Sequence, residues 1–113
     1  MSVPVELTEL RDAIAKQAGF AYVMTVSDDE RAHAVAVVPV LQGNVLVCEG
    51  GNTTCRNATA RPAISLVWPP KTEGDFSLIV DGDATVSGQE LTITPTRAVF
   101  HRAAGCAPVS LEK

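Results

Sequence analysis

From Phe20 to Arg102 the chain is a succession of short apolar runs, each shut off by a polar, glycine or proline turn. This rhythm limits the fold more than any other feature, because such runs have strand length and β-branched content and are too short for core helices. The runs are Phe20–Val26, His33–Leu41, Val45–Glu49, Ala63–Trp68, Phe76–Val86 and one that starts at Glu90. Pro95–Arg102 reads as the end of that last strand or as a short helix. The turns are Ser27–Glu30, Gln42–Asn44, Pro69–Pro70 and Ser87–Gln89. Six short strands joined by hairpin signals fit a small closed barrel better than an open sheet.

Two runs carry further information. His33–Leu41 is apolar on both faces, so both faces need cover. In the fifth run Phe76, Leu78, Val80, Ala84 and Val86 share one face, and Gly82 permits a kink or bulge that helps a strand turn a corner. Before the strands, Leu7, Leu10, Ala13, Ile14 and Ala18 recur at helical spacing, predicting an amphipathic helix over 5–18 with Gly19 as its C-terminal cap. A second short helix is expected near Thr53–Ala60, stopped by Arg61-Pro62. From Ala103 the sequence is small and patternless, so 103–113 is expected to be a loose tail.

With 113 residues, 46% apolar and 19% charged, the chain reads as one globular domain, its barrel spanning 20–102. A net charge of −4 without a basic stripe argues against nucleic acid as a partner. No apolar run approaches a membrane span, and the first residues lack the pattern of a signal peptide, so a cytoplasmic setting is expected. Cys48, Cys55 and Cys106 form no C-x-x-C pair, and His33 and His101 are isolated, so no metal site is expected.

The stretch Glu49-Gly50-Gly51-Asn52-Thr53-Thr54-Cys55-Arg56 looks built for an anion. Two glycines let a backbone approach a ligand closely. Asn52, Thr53 and Thr54 are strong helix-capping types, and a helix start offers free N–H groups and partial positive charge. Arg56 adds a cation one turn in. The glycine spacing of a P-loop is absent. The alternative for Thr53 and Thr54 is a plain helix cap, and for Arg56 a solvated charge. Asp81 and Asp83, two residues apart, suit either acid–base chemistry or a solvent-facing edge. Trp68 is either core packing or the wall of a site for a ring-shaped ligand.

Three strings resemble the pyridoxamine 5′-phosphate oxidase-like family, also called the flavin-binding split-barrel family. They are Ala32–Val40, the Thr-rich helix start running through Asn57 to Arg61–Trp68, and Phe76–Ala84 followed by Pro95–Arg102. The resemblance implies a mainly β, six-stranded split barrel with one or two short helices, paired as a homodimer. It implies FMN or a deazaflavin coenzyme in a groove between subunits, although some members bind haem or no cofactor. Carried over, it assigns Thr53, Thr54 and Arg56 to the phosphate end. Asn57 matches an Asn common in the following helix, Val37 and Val38 would flank the cofactor ring, and Trp68 would cover part of the pocket. Many flavin-binding members have Arg-Lys where this chain has Thr53-Thr54. The activity so implied is an oxidoreductase in which the cofactor transfers hydride and no side chain stands out as an acid or base. Two alternatives are a non-catalytic flavin-nucleotide carrier and a thiol redox protein using Cys55, which lies beside Arg56 in the first turn of a helix.

Overall fold

The computed structural model describes residues 1–103, and Cys106 and all of the expected tail except Ala103 lie outside the described residues. It contains one antiparallel sheet of eight strands: β1 (Ser2–Val5), β2 (Ala21–Val26), β3 (Ala32–Val37), β4 (Val40–Gln42), β5 (Val45–Glu49), β6 (Ala63–Trp68), β7 (Ser77–Ser87) and β8 (Glu90–His101). Two short helices accompany it, α1 (Leu10–Ala15) and α2 (Asn52–Ala60). The strand order is β3-β2-β6-β7-β8-β5-β4, with β1 added along the outer side of β8.

The count of eight corrects the expected six, for two physical reasons. Ser2–Val5 pairs with His101–Ala98 of β8, which draws the start of the expected helix into a strand. Pro4 is tolerated there because β1 is an edge strand. Second, Pro39 has no N–H for a ladder, and the run 33–41 breaks around it into β3 and β4. The helix expected over 5–18 is accordingly short, a 3-10 turn at Leu7–Glu9 leading into α1. Lys16, and not Gly19, is its C-cap. Pro95–Arg102 resolves as strand, the far half of β8.

The break at Pro39 also explains why the barrel is split. β3 and β4 are neighbours in the chain yet lie at opposite edges of the sheet. Only Val38 and Pro39 separate them, and no peptide bond is cis. Such a link spans at most about 11 Å, so the sheet must curl until its two edges nearly meet. They face each other without pairing.

Leu46, Leu66, Leu78, Val80, Leu91, Ile93, Val23 and Trp68 fill the interior. In β7 the buried residues alternate as expected, and the register with β8 shifts between Asp81 and Gly82. That shift is the irregularity expected at Gly82, and the close approach there admits only glycine, since a Cβ would lie 2.7 Å from the Thr94 carbonyl oxygen. No helix among the described residues is long and apolar enough to cross a membrane.

Candidate functional site

The start of α2 stands against the inward face of β3. Spacing of two along a strand places His33, Val35 and Val37 on one side, and these line a hollow of about 350 Å³ together with Asn52, Thr53 and Thr54. A second hollow of about 480 Å³ shares His33 and Thr53 with the first and extends past Arg31 and Arg56. The two form one open groove along β3, β3 being the edge of the split.

The helix start differs from the expectation in an informative way. Gly51, not a Thr or Asn, is the N-cap, and it makes no side-chain cap. The first intrahelical bond is Cys55 N–H to Gly51 O at 2.9 Å. The amides of Asn52, Thr53 and Thr54 precede it and have no intrahelical acceptor. Asn52 Oδ1, a natural cap, instead accepts from Gln89 Nε2 at 2.9 Å and ties the helix to the β7–β8 turn. The two glycines divide their work. A Cβ at Gly50 would press to 2.7 Å from Leu91 Cδ1 and 3.1 Å from Thr54 Cγ2, so Gly50 serves packing. Gly51 has open space around it.

Charge in the groove is mixed. Arg31 and Arg56 are exposed on its outer part. Arg61 donates to Asp28 and, at 2.9 Å, to Val26 O. That bond, and the guanidinium charge behind it, hold the Asp28 carboxyl below its usual range. Asp29 and Glu49 also border the groove. Attraction for an anion therefore comes from the helix start and the local arginines more than from net charge. His33 Nδ1 is buried with no hydrogen-bond partner among the described residues.

Of the residues singled out in the sequence, Val37, Thr53, Thr54 and Arg56 meet in this groove. Thr54 is 1% exposed and packs its methyl over Gly50. Asn57 lies in the interior, donating to Thr25 Oγ1 at 3.1 Å. Trp68, 1% exposed, is in the core and does not border the groove. Val38 is exposed in the link between β3 and β4. Asp81 accepts from Ser65 Oγ at 2.7 Å and faces Arg97, on the sheet's outer side away from the groove. Cys55 is buried, with its thiol toward Gly50 O at 3.6 Å. His33 and Val35 are the additions. The period-two pattern leading back from Val37 is the signal that could have found them.

No known family model matches the sequence. Over 100 residues it is 37% identical to an uncharacterized protein of Mycobacterium bovis and to another of Mycobacterium tuberculosis, covering 74% of this chain and 70% of each relative. Solved structures align over most of its length. An F420 reductase gives a TM-score of 0.65 at 14% identity, covering 77% of this chain and 94% of that one. A provisionally assigned pyridoxamine 5′-phosphate oxidase from Listeria innocua gives 0.67 at 16%, covering 84% and 98%. An FAD-binding protein from Mycobacterium smegmatis gives 0.63 at 17%, covering 90% and 100%. The chain belongs to the family of the two mycobacterial relatives, and its fold is the pyridoxamine 5′-phosphate oxidase-like split barrel. In this split barrel the groove runs along β3, one edge of the split, with the uncapped helix start on its wall.

Proposed function

We propose that the groove holds the phosphate end of a flavin-type nucleotide, FMN or a deazaflavin coenzyme, and that the protein is a cytoplasmic oxidoreductase working as a homodimer. The observation that carries this reading is the start of α2, where backbone amides without acceptors open on a groove wall and no side chain caps them. A helix N-terminus of this kind is suited to phosphate. The names of the structural neighbours, an F420 reductase and an FAD-binding protein among them, support the cofactor class.

The residues present fit such a group. Thr53, half-buried on the groove wall, offers a hydroxyl and an amide. Arg56 adds a mobile cation at the outer end, and Val35 and Val37 give an apolar wall. Gly51 leaves space where a Cβ would stand. A hydrogen-bonding group from the ligand or from a partner subunit would satisfy His33 Nδ1. When bound, such a cofactor supplies hydride-transfer chemistry at its ring, and the protein's part is to fix the phosphate, wall the ring and limit water.

The dimer reading rests on the outer face of β2. Tyr22, Met24 and Val26 are each about 40% exposed and stand in a row. Their cross-strand partners on β3 are the small Ala36, Ala34 and Ala32, which leaves the row proud of its surroundings. An exposed apolar stripe of this kind, close to an open groove, suits a second copy that covers the stripe and completes the site.

Titration of the purified chain with FMN and with a deazaflavin coenzyme, followed by cofactor fluorescence, tests the reading. Micromolar binding to one of them is expected, weakened about tenfold by Thr53→Glu through like-charge repulsion of phosphate. Binding of neither overturns it. A non-catalytic carrier is the second reading, favoured because the carboxylates on the groove, Asp28, Asp29 and Glu49, are all exposed at its border. It predicts binding without reduction of the bound cofactor by any nicotinamide donor. The thiol alternative draws no support from the geometry, because Cys55 is buried and faces a carbonyl.

A further inference from the structure

The far end of the barrel holds a second cavity of different character. It lies ten residues along β8 from the groove end, between the end of α1 and the β6–β7 loop, and has a volume of about 220 Å³. Phe76 and Phe100 form its walls, their rings edge to face at 6.2 Å. Cations crowd its mouth in a chain whose net charge is negative. Lys16, on the lining, has its Nζ 5.9 Å from the Phe100 ring centre, and off the lining the Arg102 guanidinium lies 4.5 Å from the Phe76 ring centre. Lys71 also borders the cavity, its ammonium donating to Ala15 O at 3.1 Å. Asp75 is the one carboxylate on the lining.

Gln17 supplies the polar contact inside. It is 6% exposed and lines the cavity. Its Nε2 is committed to three backbone carbonyls, Phe76 O at 2.9 Å and Trp68 O and Pro69 O at 3.3 Å. Its Oε1 accepts no hydrogen bond from the described residues. That oxygen keeps some open surface, so it is free to accept from a guest in the cavity. Two aromatic walls, a cationic mouth and an inner acceptor together describe one kind of guest.

We propose that this cavity is a binding site for a small aromatic acid whose carboxylate meets Lys16 and Lys71 and whose ring carries a hydroxyl or amine that donates to Gln17 Oε1. The size is right, since a cavity of about 150 Å³ takes benzene. Ring packing against Phe76 and Phe100 supplies the apolar contact, and the cations select the charge. The site is separate from the groove and does not depend on the flavin reading.

The test is a titration of the ¹⁵N-labelled 113-residue chain with 4-hydroxybenzoate, followed by amide NMR shifts. Saturable shifts are expected at Gln17, Lys71 and Phe76, with those of His33 and Thr53 unmoved. 4-Hydroxybenzyl alcohol, which lacks the carboxylate, should bind at least about tenfold more weakly, and benzoate, which lacks the donor, several-fold more weakly. The double variant Lys16→Glu/Lys71→Glu should lose at least about tenfold in affinity. Should that variant fold poorly, Lys71→Gln removes one charge and is expected to give a smaller loss. Absence of saturation by about 10 mM overturns the proposal. So does binding that maps to the groove, equal affinity for the alcohol, or indifference to the lysine changes.

Discussion

At the scale of single residues, glycines and a cysteine give the clearest tests. At Gly82 an added methyl would meet the Thr94 carbonyl, which belongs to the backbone and cannot step aside. Gly82→Ala should cost about 1–3 kcal/mol, seen as a lower denaturant midpoint. Gly19→Ala, where nothing lies within 4 Å, should be neutral or slightly stabilising in the same assay. Cys48 tests burial by pH. Desolvation, with the nearby Cys55 a lesser cause, pushes its thiol up to about 11. A raised pKa in the folded state means that the stability it contributes is whole below the ordinary thiol value and is lost as pH rises toward 11. The thermal midpoint of the native chain should therefore fall faster than that of Cys48→Ala between pH 9 and 11. Residue types were a fair guide to this level, with instructive misses. Thr53 and Arg56 announced a groove because their neighbours set a helix start. Asn57 and Trp68 looked equally chemical, but a polar or aromatic side chain is also what a core accepts once its N–H groups or ring are satisfied, and only three-dimensional packing separates the two. His33 was passed over because a lone His has no meaning until α2 is folded against its strand.

At the scale of elements, α2 offers a prediction with opposite signs. Gly51 sits in extended backbone with free space around it, so Asp fits there. Gly51→Asp should cap the helix and raise stability by a few tenths of a kcal/mol, up to about 1 kcal/mol. The same carboxylate would occupy the amides offered to a phosphate and repel it, so nucleotide affinity should fall about tenfold. A thermal melt and a binding titration on one variant check both. The strands β2, β5, β6, β7 and the bulge in β7 were legible because alternation and turn residues are local. The ends of the chain were not. Helical spacing in residues 5–18 is genuine for Leu10 and Ala13, which are buried in α1, and for Ile14 beside them. Pairing of residues 2–5 with β8, nearly a hundred positions away, outweighed it, and no local pattern announces such a partner.

At the scale of the whole molecule, the outer face of β2 is where the proposed dimer is tested. Met24→Glu places a charge in the middle of the exposed row, opposite Ala34, where a lone subunit would keep it in water. The variant should fold normally and sediment as a monomer, and the native chain is expected to sediment as a dimer. If both sediment alike, the row is not the interface. A last consequence belongs to the dipeptide Val38-Pro39. It works as a clasp between the barrel's two lips, and one lip is also the groove wall. A link of two residues keeps those lips within about 11 Å of each other at their joined end, so the chain itself caps the width of the opening there.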